Sequence, residues 1–294
     1  MKKIILLMSL VAGISSCYHE DALNVPDQAD KYGVLEDAST DPTRHFIYQF
    51  YQQYETVIIT NPTEADYKFN FTSDNGIKIT SPEQSEEVIN KSLLNLYPDN
   101  FLKKNLPFSI ILAEQVQMDA WGETTILNSY ASGNFIVVSN ITSALKTMSQ
   151  KDFIKIRADI NASFWAKYMS EVRGVFTIPD TFYKESEAIE PDIYSGYFYL
   201  GYQSPAETDF YHYGLISYNT DSSYVDEEDP DFPFYSLYAP TKEMDLLQWM
   251  NFVFEKTQEE LQEIFDDYPI MKKKYDIIKE AMLANGFDLS QLEL

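Results

Sequence analysis

The chain of 294 residues is short of cysteine, histidine and positive charge: one Cys, three His, and 22 Lys plus Arg against 46 Asp plus Glu. A lone Cys17 excludes an intrachain disulfide. His19, His45 and His212 are too few for a site that needs two or three imidazoles together. The formal charge of −24 repels phosphate backbones and anionic headgroups, which excludes nucleic acid as a partner. No Gly-x-Gly-x-x-Gly, P-loop, Gly-x-Ser-x-Gly elbow or His-Glu-x-x-His occurs, and no internal repeat or low-complexity tract. What is present is globular: 45% hydrophobic and 23% charged residues, too apolar for wholesale disorder and long enough for one large domain or two small ones. The 22 Tyr and 19 Phe furnish both a core and a Tyr-rich surface.

Behind Lys2 and Lys3, the apolar run from Ile4 to Val11 is too short to cross a bilayer and reads as a secretion signal. Ile14-Ser15-Ser16-Cys17 resembles the lipobox of bacterial lipoproteins, whose cysteine is lipidated and becomes the new N-terminus. That resemblance implies a signal peptide over 1–17, acylation of Cys17 and a firm membrane anchor. Loss of Lys2 and Lys3 moves the formal charge from −24 to −26. Lipidation also consumes the only thiol and excludes cysteine catalysis. Tyr18-His19-Glu20-Asp21 resembles the surface-export signal of Bacteroidota lipoproteins, which implies display on the outer membrane. Residues 18–40 lack a clear period and are expected to form a tether before a domain over 41–294.

Within that domain, Asp41-Pro42 opens a predicted helix from about 42 to 55. Val57–Thr60, Tyr67–Phe71, Phe108–Leu112, Thr124–Leu127 and Asn134–Ser139 read as strands. Ser81-Pro82-Glu83 starts a second helix, and Ser149 to about Ser170 forms a central one with Phe153, Ile156, Ile160 and Phe164 on one stripe. Residues 174–240 read as long irregular loops, and 241–256, 258–267 and 269–285 as helices. The fold class is α+β: one domain with a small mixed sheet, a central helix and a helical C-terminal part.

The stretch Tyr268-Pro269-Ile270-Met271-Lys272-Lys273-Lys274-Tyr275-Asp276-Ile277-Ile278-Lys279-Glu280, with Gly286-Phe287-Asp288-Leu289, resembles the end of a family of Bacteroidota lipoproteins described as zinc-binding metallopeptidases. Phe46-Ile47-Tyr48, Ser109–Leu112, Phe135–Val138 and Gly214-Leu215-Ile216-Ser217-Tyr218 fall in the family's order. The resemblance implies a zincin-like fold, often found beside outer-membrane uptake systems. There the central helix carries His-Glu-x-x-His, whose two His share a face and bind zinc while the Glu is general base. In this chain the two His positions become Ala158 and Ala162, the base position becomes Asp159, and the third ligand becomes Gln248. The resemblance therefore implies a protein without metal, cofactor or zinc hydrolysis, retained to bind peptide or glycan or to assist uptake. The alternative is a hydrolase that uses Asp159 with Glu243, Asp245 or His212.

Two further features stand apart from the resemblance. Asp221, Asp226, Glu227, Glu228, Asp229 and Asp231 form an acidic loop whose spacing matches no EF-hand and which reads as a solvated run. Tyr194, Tyr197, Tyr199, Tyr202, Tyr211, Tyr213, Tyr218 and Tyr224 cluster with Phe198 and Phe210 as a candidate ligand platform or as packing for the loops.

Overall fold

The computed structural model describes residues 30–38, 40–67, 77–80, 94–120, 123–203, 205, 208–219, 224–225 and 235–292. Cys17 and the expected signal, the helix expected from Ser81 and the six acidic residues of the 221–231 loop lie outside them. In chain order the elements are α1 (Pro42–Tyr54), β1 (Val57–Ile59), α2 (Glu64–Tyr67), β2 (Ile77–Thr80), α3 (Asp99–Asn105), β3 (Ser109–Leu112), β4 (Gln115–Ala120), β5 (Glu123–Leu127), β6 (Ser129–Ser132) and β7 (Phe135–Val138). Then come α4 (Gln150–Ala162), a π-helix continuing it (Ser163–Val172), α5 (Thr181–Glu187), β8 (Tyr199–Gln203), β9 (Tyr224–Val225), β10 (Tyr235–Tyr238), α6 (Lys242–Glu255), α7 (Gln258–Asp267) and α8 (Pro269–Ala284). The architecture is α+β.

The main sheet is mixed, in the order β1-β3-β7-β6. Its first three strands run parallel, with Val57 opposite Ser109 and Ser109 opposite Phe135, and β6 lies antiparallel on the edge. Parallel strands are covered on both faces, which is why Ile110-Ile111-Leu112 and Phe135-Ile136-Val137-Val138 are unbroken apolar runs. Alternation still sorts them. Ile58, Ile110, Leu112, Ile136 and Val138 face the large helical core, while Val57, Ile59, Ile111, Phe135 and Val137 face a smaller core with Tyr67 and Val116. Ser149 caps α4 by accepting from the Asp152 N–H, and the predicted stripe holds: Ile156, Ile160 and Phe164 are buried. The three C-terminal helices form where the sequence predicts them. Thr257 and Glu260 close a capping box at the head of α7.

Three expectations are corrected. Tyr67 closes the short α2 rather than opening a strand, and residues 68–71 lie outside the described set. Residues 174–240 are not all irregular: they hold α5 and an antiparallel sheet in the order β8-β10-β9, with a bulge between Leu237 and Tyr238. Residues 30–38, expected to belong to the tether, are pinned to the domain. The Asp30 carboxylate accepts from the N–H groups of Val34 and Leu35 (both 2.9 Å), and Asp66 accepts from Lys31 Nζ (2.8 Å), the Tyr32 hydroxyl (2.6 Å) and the Thr63 N–H (2.7 Å).

Burial works to raise Asp66, but the hydrogen bonds from Lys31, Tyr32 and Thr63 outweigh it and hold the carboxyl at about 2. A carboxyl lowered in the folded state stabilises above its unfolded value, near 4, and that contribution fades as the pH falls toward 2. Asp66→Asn should therefore cost about 1–2 kcal/mol at pH 7, the exposed Lys31 end being screened. The gap to wild type in urea unfolding should narrow as the pH is lowered from 4 to 2.

Candidate functional site

A cleft of about 380 Å³ opens beside the edge strand β6. One wall comes from Ile126 and Leu127 at the end of β5 and from Asn128 and Ser129. Asp159 and Ala162 at the end of α4, and Ser163 where the π-helix begins, form the floor. Ile216, Leu247, Gln248 and Asn251 close the far side. Gln248 and Asn251 share a face of α6 because they are three residues apart. Ile216 reaches the cleft from a tight turn at Gly214, whose φ of 72° is left-handed. A Cβ there would stand 2.8 Å from the Ile270 side chain, so the turn requires glycine.

Asp159 is the centre of the polar floor. Its Oδ2 accepts from Asn128 Nδ2 at 2.5 Å, and its Oδ1 accepts from Asn251 Nδ2. Asn140 in turn donates to Asn128 Oδ1 (2.8 Å). The Ser129 hydroxyl donates to the Asp159 carbonyl (2.8 Å) and lies 2.6 Å from Ser163 Oγ, tying the edge strand to the helix. Burial pushes the Asp159 carboxyl above its usual range. The Asn128 and Asn251 amides pull it back, and the charge of Glu255 adds to the rise. Gln248 Nε2 donates to the Tyr218 carbonyl (3.0 Å), while its Oε1 is buried without a donor.

Behind the cleft, α6 presents a different face to the core. Asp245 and Lys274 of α8 are both fully buried and joined at 2.7 Å. Lys274 Nζ also donates to Ser186 (3.1 Å) and lies 4.1 Å from the Phe182 ring centre, while the Tyr194 hydroxyl donates to Asp245 Oδ2 (2.6 Å). Burial pushes Asp245 up and Lys274 down, so each depends on the other to stay charged.

The sequence-predicted residues separate accordingly. Asp159, Ala162 and Gln248 meet in the cleft. Ala158 does not line it, being fully buried one step round the helix. The alternative partners for Asp159 are not brought to it: Asp245 is locked to Lys274, and the exposed Glu243 and His212 do not line the cleft. His45 sits at the surface, 2.7 Å from Asp37. Trp165, Trp249 and Met250 are core residues, so the cleft is open rather than plugged by them. Among the tyrosines, Tyr194 serves the buried ion pair, whereas Tyr197 (84% exposed) and Tyr199 (47%) stand at the surface. Phe198, Phe210 and Tyr213 pack round Ile193, Leu215 and Ala239. Sequence reasoning missed Asn128, Ser129, Ser163 and Asn251. Only Asn251 had a signal, its spacing from Gln248.

The zinc of the family that the sequence resembles does not fit these residues. Ala158 and Ala162 have no side-chain donor atom, which leaves Asp159, a single carboxylate held by two amides, and Gln248, which turns its nitrogen to Tyr218, short of the three ligands zinc needs. Among the described residues no three His, Cys, Asp or Glu side chains gather as a metal would require, and no helix is long and apolar enough to cross a membrane. No family model, curated protein or solved structure matches the chain.

Proposed function

We propose that the chain is a lipid-anchored protein of the outer-membrane surface, related to zincin-like metallopeptidases, that has lost the metal and uses the remaining cleft to hold peptide segments, as an accessory to an uptake complex. One observation carries the reading. Three of the four positions that match the family's zinc site in the sequence, Asp159, Ala162 and Gln248, line one open cleft beside an edge strand, where a single carboxylate is held by two amides. Peptide is favoured over glycan because the walls are aliphatic: Ile126, Leu127, Ile216 and Leu247. Among the described residues no ring lines the cleft for a sugar face to stack on.

The test is zinc titration of the purified full chain, followed by unlabelled-peptide cleavage and peptide binding. Less than about a tenth of an equivalent of tight zinc is expected, because a site needs three protein ligands and the cleft offers one carboxylate. Zinc-dependent cleavage would overturn the reading. Binding of short peptides without cleavage, blocked by Leu247→Trp, would support it.

A further inference from the structure

Asp159 is a carboxylate without a cation. Its two hydrogen-bond partners, Asn128 and Asn251, are neutral amides, and the charged group that acts on it, Glu255, is itself acidic. Among the described residues it makes no ion pair. Elsewhere the fold treats its buried carboxylates differently: Asp245 is matched to Lys274, and Asp66 to Lys31. A charge withdrawn from water and left unmatched is unfavourable unless something arrives to match it. Gln248 lines the same cleft and carries a second acceptor, its buried Oε1, which has no donor among the described residues. Around these two oxygens the walls are aliphatic, and the excess of acidic over basic residues draws cations toward the molecule.

Resting on the peptide-cleft reading, we propose that the cleft selects the cationic end of a Lys or Arg side chain. The ammonium or guanidinium donates to Asp159 and to Gln248 Oε1, and the methylene stem packs against Ile126, Ile216 and Leu247. An aliphatic or acidic side chain of the same length leaves both acceptors unmatched. Discrimination arises because a carboxylate and an amide oxygen meet the charged end, and no cation of the described residues competes for Asp159.

The experiment compares peptides identical but for one central residue, namely lysine, acetyl-lysine or norleucine, titrated into the detergent-solubilised full chain. The lysine peptide is expected to bind about tenfold tighter than either neutral one, a coupling typical of a partly desolvated charge pair. Asp159→Asn keeps the volume of the side chain, gives up one of the two amide bonds together with the charge, and should bring lysine and norleucine to equal affinity. Its thermal unfolding should show that the fold is intact. Gln248→Leu provides a second check and should lower the ratio of lysine to norleucine affinity. Equal binding of all three peptides by the wild type, or a lysine preference that survives in Asp159→Asn, overturns the charge selection and leaves the peptide cleft standing. Failure of every peptide to bind overturns the cleft reading itself, and the selection with it.

Discussion

Lys274→Met should lower the unfolding free energy by about 3–5 kcal/mol, the usual consequence of stranding one member of a buried ion pair. The remaining Asp245 would lie in a core where its Oδ2 keeps only the Tyr194 hydroxyl and its Oδ1 already lacks a donor. Met fills nearly the volume of the lysine stem beside Phe182 and Trp249, so the loss would come from charge rather than from a cavity. Two further observations separate these causes. The double variant Lys274→Met/Asp245→Leu should regain most of the stability, because an apolar pair tolerates the site better than a lone carboxylate does. The single variant should also recover as the pH falls. An acid whose folded pKa is raised favours the folded state when protonated, so the deficit is largest at neutral pH and shrinks toward the ordinary carboxylate range. Urea unfolding at several pH values measures both. A deficit independent of pH and retained in the double variant would refute the electrostatic account.

Trp165→Ala is the second large effect, at about 3–5 kcal/mol for deleting a fully buried indole. Trp165 stands at the centre of the aromatic core: its ring lies 4.9 Å from Phe176 and 5.5 Å from Phe101, and Phe164 and Phe287 flank it. It is also a donor. Its Nε1–H bonds the Tyr97 hydroxyl at 2.9 Å, and that hydroxyl donates to Asn161 Oδ1 on α4. The variant therefore opens a void and loosens the polar chain that holds the helix carrying Asp159. Trp165→Phe should retain about half of the packing and none of the indole bond, giving an intermediate loss. Thermal and urea unfolding of the three proteins should rank wild type, Phe and Ala in that order.

The elements with a strong local period were legible in the sequence, and those defined by distant partners were not. The stripe Ile156-Ile160-Phe164 and the start at Asp41-Pro42 carry their own spacing and caps, so these two helices start where the sequence places them, whereas the short helices Glu64–Tyr67, Asp99–Asn105 and Thr181–Glu187 are not read from it. Strand β6 is only Ser-Tyr-Ala-Ser, half-buried throughout, and has no apolar alternation to reveal it. Its place follows from β7, whose hydrogen bonds it completes. Strands β8 and β10 are read as loops because Tyr, Gly and Ser dominate them and turn residues surround them. At the site, Asp159, Ala162 and Gln248 came from the family's spacing, whereas Asn128 comes from a sheet and has no sequence link to α4. Lys274 shows a signal that went unused. Met271, Lys274, Tyr275 and Ile278 follow the i, i+3, i+4, i+7 pattern of a buried stripe, so one of three consecutive lysines had to lie inside. The side chains of its neighbours Lys272 and Lys273 are 46% and 64% exposed.

Phe287, Leu289 and Leu292, past the last long helix, return to the core, and the Phe287 ring sits 4.6 Å from Tyr97 and against Phe254. A nascent chain therefore cannot seal its interior while residue 287 is still inside a ribosome. Tyr97, Phe101 and Trp165 would wait with a gap on one side until residue 287 has emerged. Protease resistance should then appear with the release of that residue rather than with the making of any single helix.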